Sequence, residues 1–467
     1  MQHIIKKQVF DLQLDKRLDS FYIQQLISNQ YWQSIVPGLE KAFDKAGHKD
    51  GNTELDKLVI DLGVISANQL EKEEWIKDLQ TILERQLEGL NTTSVSGITV
   101  VHKTRSLGVY EQWLFYMQQG YLAWNTINAD DNWYREVSDV FASDFTGARE
   151  LRNLLINDPG VIRRIVWQHA DSFLIKLVDA LVTRQPDELL EVIKELEKIS
   201  VYPQQEYGSE PVTGMMEFRN SLWIQILRKA AGWSPTSLQE AASLMQEFVQ
   251  SRKLPASFLT KPAVRKLLRK EPAESKKYND GTEKVVQPMD LPVLSESVIG
   301  EEGIYVANAG VVLLHPFLNN LFIRLKLVEQ GKFVDQDAHR KALFLLHYLA
   351  TGNTVAGEHE LVIAKILCSY PLKEPVVAGM VLTKEELDEA GDLLTAAIQQ
   401  WGILQNTTVD GLREGFLQRK GKVFTRQASI YLQVETSSID ILLDHLPWSL
   451  SMIKLPWMED IMRVEWR

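Results

Sequence analysis

No helical pattern in this chain runs long. Apolar residues recur at helical spacing in many places, but proline or glycine interrupts the runs, and no heptad register is sustained over several turns. Such a pattern suits short helices packed on one another rather than a single rod. No unit of fixed length repeats along the chain. Its 467 residues are enough for two to four domains with ample core.

The N-terminal stretch alternates before it turns helical. Ile4, Phe10, Leu12 and Leu14 share one parity, which predicts a strand through Leu14. A helix follows from Leu18 to Ala46, carrying Phe21, Leu26, Tyr31, Ile35, Leu39 and Phe43, and Pro37 kinks or divides it. Gly47 to Thr53 reads as a polar turn. Leu58, Ile60 and Leu62 alternate as a second strand that Gly63 ends, and a helix covers Asn68 to Leu90. The order β-α-β-α is that of a small α/β unit, with Lys6, Lys7 and Asp61 on its solvent face.

Ile98 to Arg105 reads as a short strand, and helices then dominate. They cover Leu107 to Gln119, Asn132 to Phe141, Gly147 to Asn157, Val161 to Gln168, Asp171 to Arg184, Glu188 to Ile199, Pro211 to Ala231 and Ser237 to Ser251. Asp158-Pro159-Gly160 and Pro186 punctuate them. Trp113, Trp124, Trp133, Trp167, Trp223 and Trp233 are expected in helical cores rather than on a stacking surface for sugars or bases. Lys253 to Glu302 differs in composition, with five prolines and a mixed-charge run, and is expected to be a linker with one short basic helix, Ala263 to Lys270. Proteases should cut it first near Lys276 to Lys284.

The final third mixes both periods. Ile304 to Leu314 reads as strand, turn, strand, with Asn308 or Gly310 at positive φ. Pro316 fits the first turn of a helix whose face carries Phe317, Leu321 and Leu325. A second helix starts near Asp337, buries Ala338, Ala342, Leu345, Leu346 and Leu349, and stops at Gly352. A third holds Leu361, Ala364, Leu367 and Cys368. A fourth opens with the capping box Thr383-Lys384-Glu385-Glu386 and continues through Leu387, Ala390, Leu394, Ile398 and Trp401. Ile430, Leu432 and Val434 mark a strand, as do Met462, Val464 and Trp466. Ile439 to Leu446 fits either helix or strand.

Several of these pieces carry a resemblance. They are Ile304 to Phe317, Tyr348-Leu349-Ala350-Thr351-Gly352, Glu358-His359-Glu360-Leu361, Asn406-Thr407-Thr408, Gly411-Leu412-Arg413 and Phe416-Leu417-Gln418-Arg419, with a doubled motif, Leu446-Pro447-Trp448 and Leu455-Pro456-Trp457. His3 to Gln8 and Leu58 to Gly63 add to them at the N-terminus. Together they resemble the tape measure proteins of contractile injection systems, the phage-tail-like particles of bacteria. The resemblance covers both ends of the chain; residues from about 100 to 300 match only as helices. It implies a structural and assembly role: nucleating an inner tube on a baseplate and setting its length, with baseplate, spike-hub or inner-tube proteins as partners. It places the chain in the cytoplasm during assembly and inside the particle after release. An assembly chaperone or cap without length control, and a cytoplasmic hydrolase, are the alternatives. A ruler must be extended, and a wholly helical chain of this length would reach roughly 700 Å at about 1.5 Å per residue. The short helices and the strands at either end point the other way.

Catalytic constellations are incomplete. His359-Glu360-Leu361-Val362-Ile363 begins like HExxH, but Ile363 stands where the second histidine must be. His347, His359 and Cys368 make a weak metal trio, because Cys368 falls at an apolar position. Gly300, Gly303 and Gly310 do not make a dinucleotide fingerprint. Gly421-Lys422-Val423 is no phosphate loop, and no nucleophile elbow occurs. His315 is read as structural, and Asp440 and Asp444 as a solvated pair. No catalytic residue, cofactor or metal is therefore expected. A formal charge of −11 disfavours nucleic acid and anionic membrane, and Arg265, Lys266, Arg269 and Lys270 form too small a basic patch to reverse that. One cysteine excludes an internal disulfide, as suits a reducing compartment. Neither a secretion signal nor an apolar run long enough to span a bilayer is evident.

The expected fold is α+β and predominantly α-helical. A small N-terminal α/β unit (1–95) precedes a helical middle (96–252), a linker (253–302) and a mixed α+β C-terminal domain (303–467). The candidate docking residues are Pro447, Trp448, Pro456 and Trp457. Proline fixes φ and withholds a donor, so each motif ends a regular element and aims its tryptophan. Trp448 is expected deeper than Trp457, which Glu459 and Asp460 follow.

Overall fold

The computed structural model describes residues 3–181, 215–232 and 299–466, apart from positions 7, 47–50, 56, 91–99, 127–128, 143–147, 300–302, 379 and 428. The described residues are mostly helical, with a small mixed sheet near the C-terminus. They fall into two compact units, 1–112 and 113–467. The expected helices at Glu188 to Ile199 and Ser237 to Ser251, Trp233, and the linker apart from Ile299 lie outside the described residues.

In the first unit, α1 (Ser20–Gln30) and α2 (Val36–Ala46) are joined by a π-helical turn, Tyr31–Ile35. Pro37 is the reason: it has no N–H for the helical ladder, and the widened turn absorbs the mismatch, with Val36 N–H reaching back to the Tyr31 carbonyl. After β1 (Gly51–Leu55), α3 (Ala67–Glu71) and α4 (Glu74–Leu90) run beside α1 and α2 in the same direction. Tyr22 reaches Glu71 and Lys45 reaches Glu84. Ile23, Ile27, Ile35, Leu79 and Leu83 form the core between them. β2 (Val100–Thr104) pairs antiparallel with β1, where a polar turn was expected at the start of β1.

The two strands expected at residues 4–14 and 58–62 are not strands. Leu58, Ile60 and Leu62 are half-buried and Val59 and Asp61 exposed, so the alternation is real, but neither segment joins a ladder. His3 contacts Phe43, and Gln86 donates to the Val59 carbonyl, so each segment lies along its own helix. Packed helices sit about 8–10 Å apart, twice the ~4.8 Å spacing of a ladder, so segments laid along neighbouring helices do not come within pairing distance.

The second unit begins with the end of α5 (Arg105–Gln119) and a helical layer: α6 (Asp131–Ala142), α7 (Ala148–Asn157), α8 (Pro159–Gln168), α9 (Asp171–Leu181) and α10 (Met215–Gly232). Asp158 caps α8 by accepting from the N–H groups of Gly160 and Val161, so Asp158-Pro159-Gly160 starts a helix. Asp171 holds α10 to α9 by accepting from Arg219 and Trp223. Trp113, Trp133 and Trp223 are buried as expected, whereas Trp167 is half-buried and Trp124 exposed.

The C-terminal elements are β3 (Ile304–Val306), α11 (His315–Arg324), the hairpin β4 (Val328–Glu329) and β5 (Lys332–Phe333), α12 (Gln336–Thr351), α13 (Val362–Leu367), α14 (Lys384–Gln400) and α15 (Val409–Leu412). β6 (Gly421–Arg426), β7 (Ser429–Val434), β8 (Met452–Ile453) and β9 (Met462–Glu465) follow. The sheet order is β3-β6-β7-β9-β8, with only β7 and β9 parallel. Asn308 has φ +58° as expected, but Ala309–Leu314 is a fully buried 3₁₀ helix, not a strand. A continuous apolar run fits either form, and this one is enclosed on every side. Ser438–His445 is also 3₁₀-helical. Gly352, at φ +78°, ends α12 as predicted, and the box of Thr383 and Glu386 starts α14.

Candidate functional site

Several of the C-terminal residues that carry the resemblance meet inside the C-terminal fold and satisfy one another's backbone. The last carbonyls of α12 belong to Tyr348-Leu349-Ala350. Arg413 donates to Tyr348 and Leu349, and Gln418 donates to Ala350, so Gly411-Leu412-Arg413 and Phe416-Leu417-Gln418-Arg419 act as a cap for a helix some sixty residues earlier. The Arg413 guanidinium also lies over the Tyr348 ring, 5.3 Å from its centroid. The Ala309 N–H donates to the Arg419 carbonyl at 2.7 Å.

Asp440 is buried rather than solvated, because it has three donors to meet. Arg419 Nη2 stands 2.9 Å from Oδ1, and the Ser437 N–H and Trp466 indole donate to Oδ2. Asp444 stays exposed.

A second buried centre joins the helical layer to the C-terminal elements. Glu358, Arg164 and Lys365 are all fully buried. Glu358 accepts from Arg164 Nε at 3.0 Å and from Lys365 Nζ at 2.6 Å. Two cations face one carboxylate, and backbone carbonyls take further donors: Met117 and Lys373 for Arg164, Leu372 and Glu374 for Lys365. All three N–H groups of Lys365 are thereby used. Burial lowers the Lys365 pKa, with the Glu358 charge opposing. Gly120, at φ +82°, makes room for the cluster: a Cβ there would lie 2.8 Å from Glu358 Oε1. Sequence reading missed this centre. Its one visible signal was Lys365 alone within the apolar run Leu361 to Cys368.

The expected docking residues are all described. Trp448 and Trp457 are both half-buried, so the expected difference in depth is absent, while Pro447 and Pro456 are exposed. The two motifs bracket α11. Trp448 packs edge-on against Phe317 at its start and donates to the Leu313 carbonyl at 3.0 Å. Trp457 packs against Phe322 further along and against Phe333, and donates to the Leu367 carbonyl at 2.8 Å. Glu459 and Asp460 are exposed, but the ring of Trp457 turns inward to meet that carbonyl. Each indole has its polar atom satisfied inside the fold and is held in one orientation.

His347 and His359 interact electrostatically, and burial lowers both pKa values against the pull of Glu360. Cys368 does not join them: its carbonyl accepts from His339, and burial raises its thiol pKa. Among the described residues no group of three His, Cys, Asp or Glu is placed to hold a metal ion. His315 bonds to the Val312 carbonyl as a structural histidine. No helix among the described residues is long and apolar enough to cross a membrane.

No curated protein and no solved structure matches this chain. A family model described as "Contractile injection system tape measure protein" matches residues 2–466.

Proposed function

The chain belongs to the contractile injection system tape measure protein family, and from that premise we propose that it docks as a folded body on the baseplate, spike-hub or inner-tube proteins of such a particle, nucleates the tube there, and sets its length. Its role is structural, in assembly; the observation that carries this is a family match over nearly the whole chain. Docking through Pro447, Trp448, Pro456 and Trp457 is supported by their geometry. The exposed prolines and inward-anchored rings give two rigid ridges beside α11, with little side-chain entropy left to lose on binding. The protein acts in the cytoplasm during assembly and remains in the particle after release.

One observation favours a second reading, an assembly chaperone or cap without length control. Arg164 of the helical layer is locked into the C-terminal elements, so the layer is not free to extend as a measuring strand. Deleting residues 186–210 separates the two, because it leaves the Arg164–Glu358 centre in place. A helical ruler shortens the tube by about 1.5 Å per residue removed. A chaperone or cap leaves tube length unchanged and alters only the number of particles. Length distributions by electron microscopy decide, and unchanged length in assembled particles rejects the ruler.

A further inference from the structure

One face of the C-terminal sheet has no covering layer among the described residues. Along β3, β6, β7, β8 and β9 the inward positions are buried: Ile304, Val306, Val423, Ile430, Leu432, Val434, Ile453, Met462 and Val464. The outward positions alternate with them and stand half-buried or exposed. Register brings the outward side chains into rows. Tyr305 lies opposite Lys422, Lys422 opposite Gln433, and Gln433 opposite Glu465. In the next row Phe424 lies opposite Tyr431, Tyr431 opposite Arg463, and Arg463 opposite Met452.

The chemistry of these rows is not that of a merely solvated face. Phe424 and Tyr431 stack at 5.5 Å with 15° between their planes, and Lys422 Nζ stands 5.5 Å from the Tyr305 ring centroid. Tyr305 and Met452 are each about half exposed, at 50% and 55%. Aromatic, methionine and arginine side chains are the types enriched at interface cores. The charge on the face also departs from that of the chain. Among the described residues of the strands, Lys422, Arg426 and Arg463 stand at outward positions with Glu465 as the one carboxylate, on a chain of formal charge −11.

We propose that this outer sheet face is a docking surface for an acidic protein partner, one whose carboxylates meet Lys422, Arg426 and Arg463 and whose apolar side chains lie across Tyr305, Phe424, Tyr431 and Met452. It deepens the assembly role above by giving the chemistry of one partner, and it rests on that role. Charge complementarity selects the occupant. A cationic face on an acidic chain steers carboxylate-bearing surfaces and repels other cationic ones. A protein is favoured over a polyanion for two reasons. The face carries a carboxylate, Glu465, in the row of Tyr305 and Lys422, and its Phe424 and Tyr431 rings stack on each other rather than standing free to receive bases.

The test uses the full chain with each purified baseplate, spike-hub and inner-tube subunit of the particle. Binding is measured by biolayer interferometry at about 50 mM and 300 mM salt. One subunit should bind, and more weakly at the higher salt. The Lys422→Glu/Arg426→Glu/Arg463→Glu variant should lose at least about tenfold in affinity for it. The Tyr431→Ala variant should weaken binding without changing its salt dependence. Circular dichroism and thermal melts confirm that each variant is folded. Undiminished binding by the folded triple variant, with the same salt dependence, overturns this proposal and leaves the assembly role standing. Binding of no subunit by the native chain rejects both. Duplex DNA or phosphatidylglycerol vesicles that bind the native chain and not the triple variant would assign the face to a polyanion instead.

Discussion

At the scale of single residues, Glu358 holds the most. Among the described residues it is the one carboxylate bonded to two fully buried cations, so removing its charge strands both in a medium that solvates them poorly. Glu358→Gln keeps the shape and should cost about 3–5 kcal/mol, read as a drop in urea midpoint at unchanged m-value. His169 sets a pH limit. Its Nδ1–H donates to the Ile165 carbonyl, leaving Nε2 to accept from the Trp113 indole, so the ring is neutral, and burial holds its pKa down at about 4. The unfolded ring titrates near 6.5, so between these values the unfolded chain binds the extra proton. Stability from this group is complete above 6.5 and falls as pH drops toward about 4, by about 3 kcal/mol in total. Urea titrations of the native chain and His169→Asn, which keeps a donor for Ile165, should show that slope only in the native chain.

At the scale of elements, the Leu-Pro-Trp motifs are braces for α11 as well as ridges beside it. Trp457→Ala empties the space between Phe322 and Phe333 and leaves the Leu367 carbonyl without its donor. Trp448→Ala does the same beside Phe317 and Leu313. Half-buried rings lose less than core ones, so each change should cost about 2–3 kcal/mol, seen as a lower melting temperature of the full chain. Most helices were legible in the sequence because their signals are local: Thr383 at a start, Gly352 at an end, Asp158-Pro159-Gly160 between two, and apolar spacing within each. Strands were less so. Leu58, Ile60 and Leu62 report an extended, half-buried backbone, which alternation detects, but not a hydrogen-bonded neighbour, which it does not. β6 went unread because Val423 and Phe424 are adjacent apolar residues on opposite faces, with Lys422 and Thr425 beside them. Of the candidate site, the proline and tryptophan positions were legible; the depth of Trp457 was not, because the carbonyl it seeks is 90 residues away.

At the scale of the whole molecule, contacts distant in sequence decide what moves as one piece. Arg164 and Glu358 are 194 residues apart. Gln168 adds to their contact, donating to the Val376 carbonyl and accepting from the Glu358 N–H, and Arg163 pairs with Glu374 at 3.2 Å. A tryptic cut between Lys276 and Lys284 should therefore give two bands on a denaturing gel but one peak in native gel filtration. Separation of the fragments without denaturant would show that this seam does not hold them. The seam also governs how the unit answers a pull. Tension between its helical layer and its C-terminal elements falls on the Arg164–Glu358 pair and on the Gln168 and Arg163 contacts beside it, and the Arg164–Glu358 pair is fully buried. Such a junction resists without stretching and then parts all at once, so in a contracting machine it would behave as a fuse with a set breaking load, not as a spring.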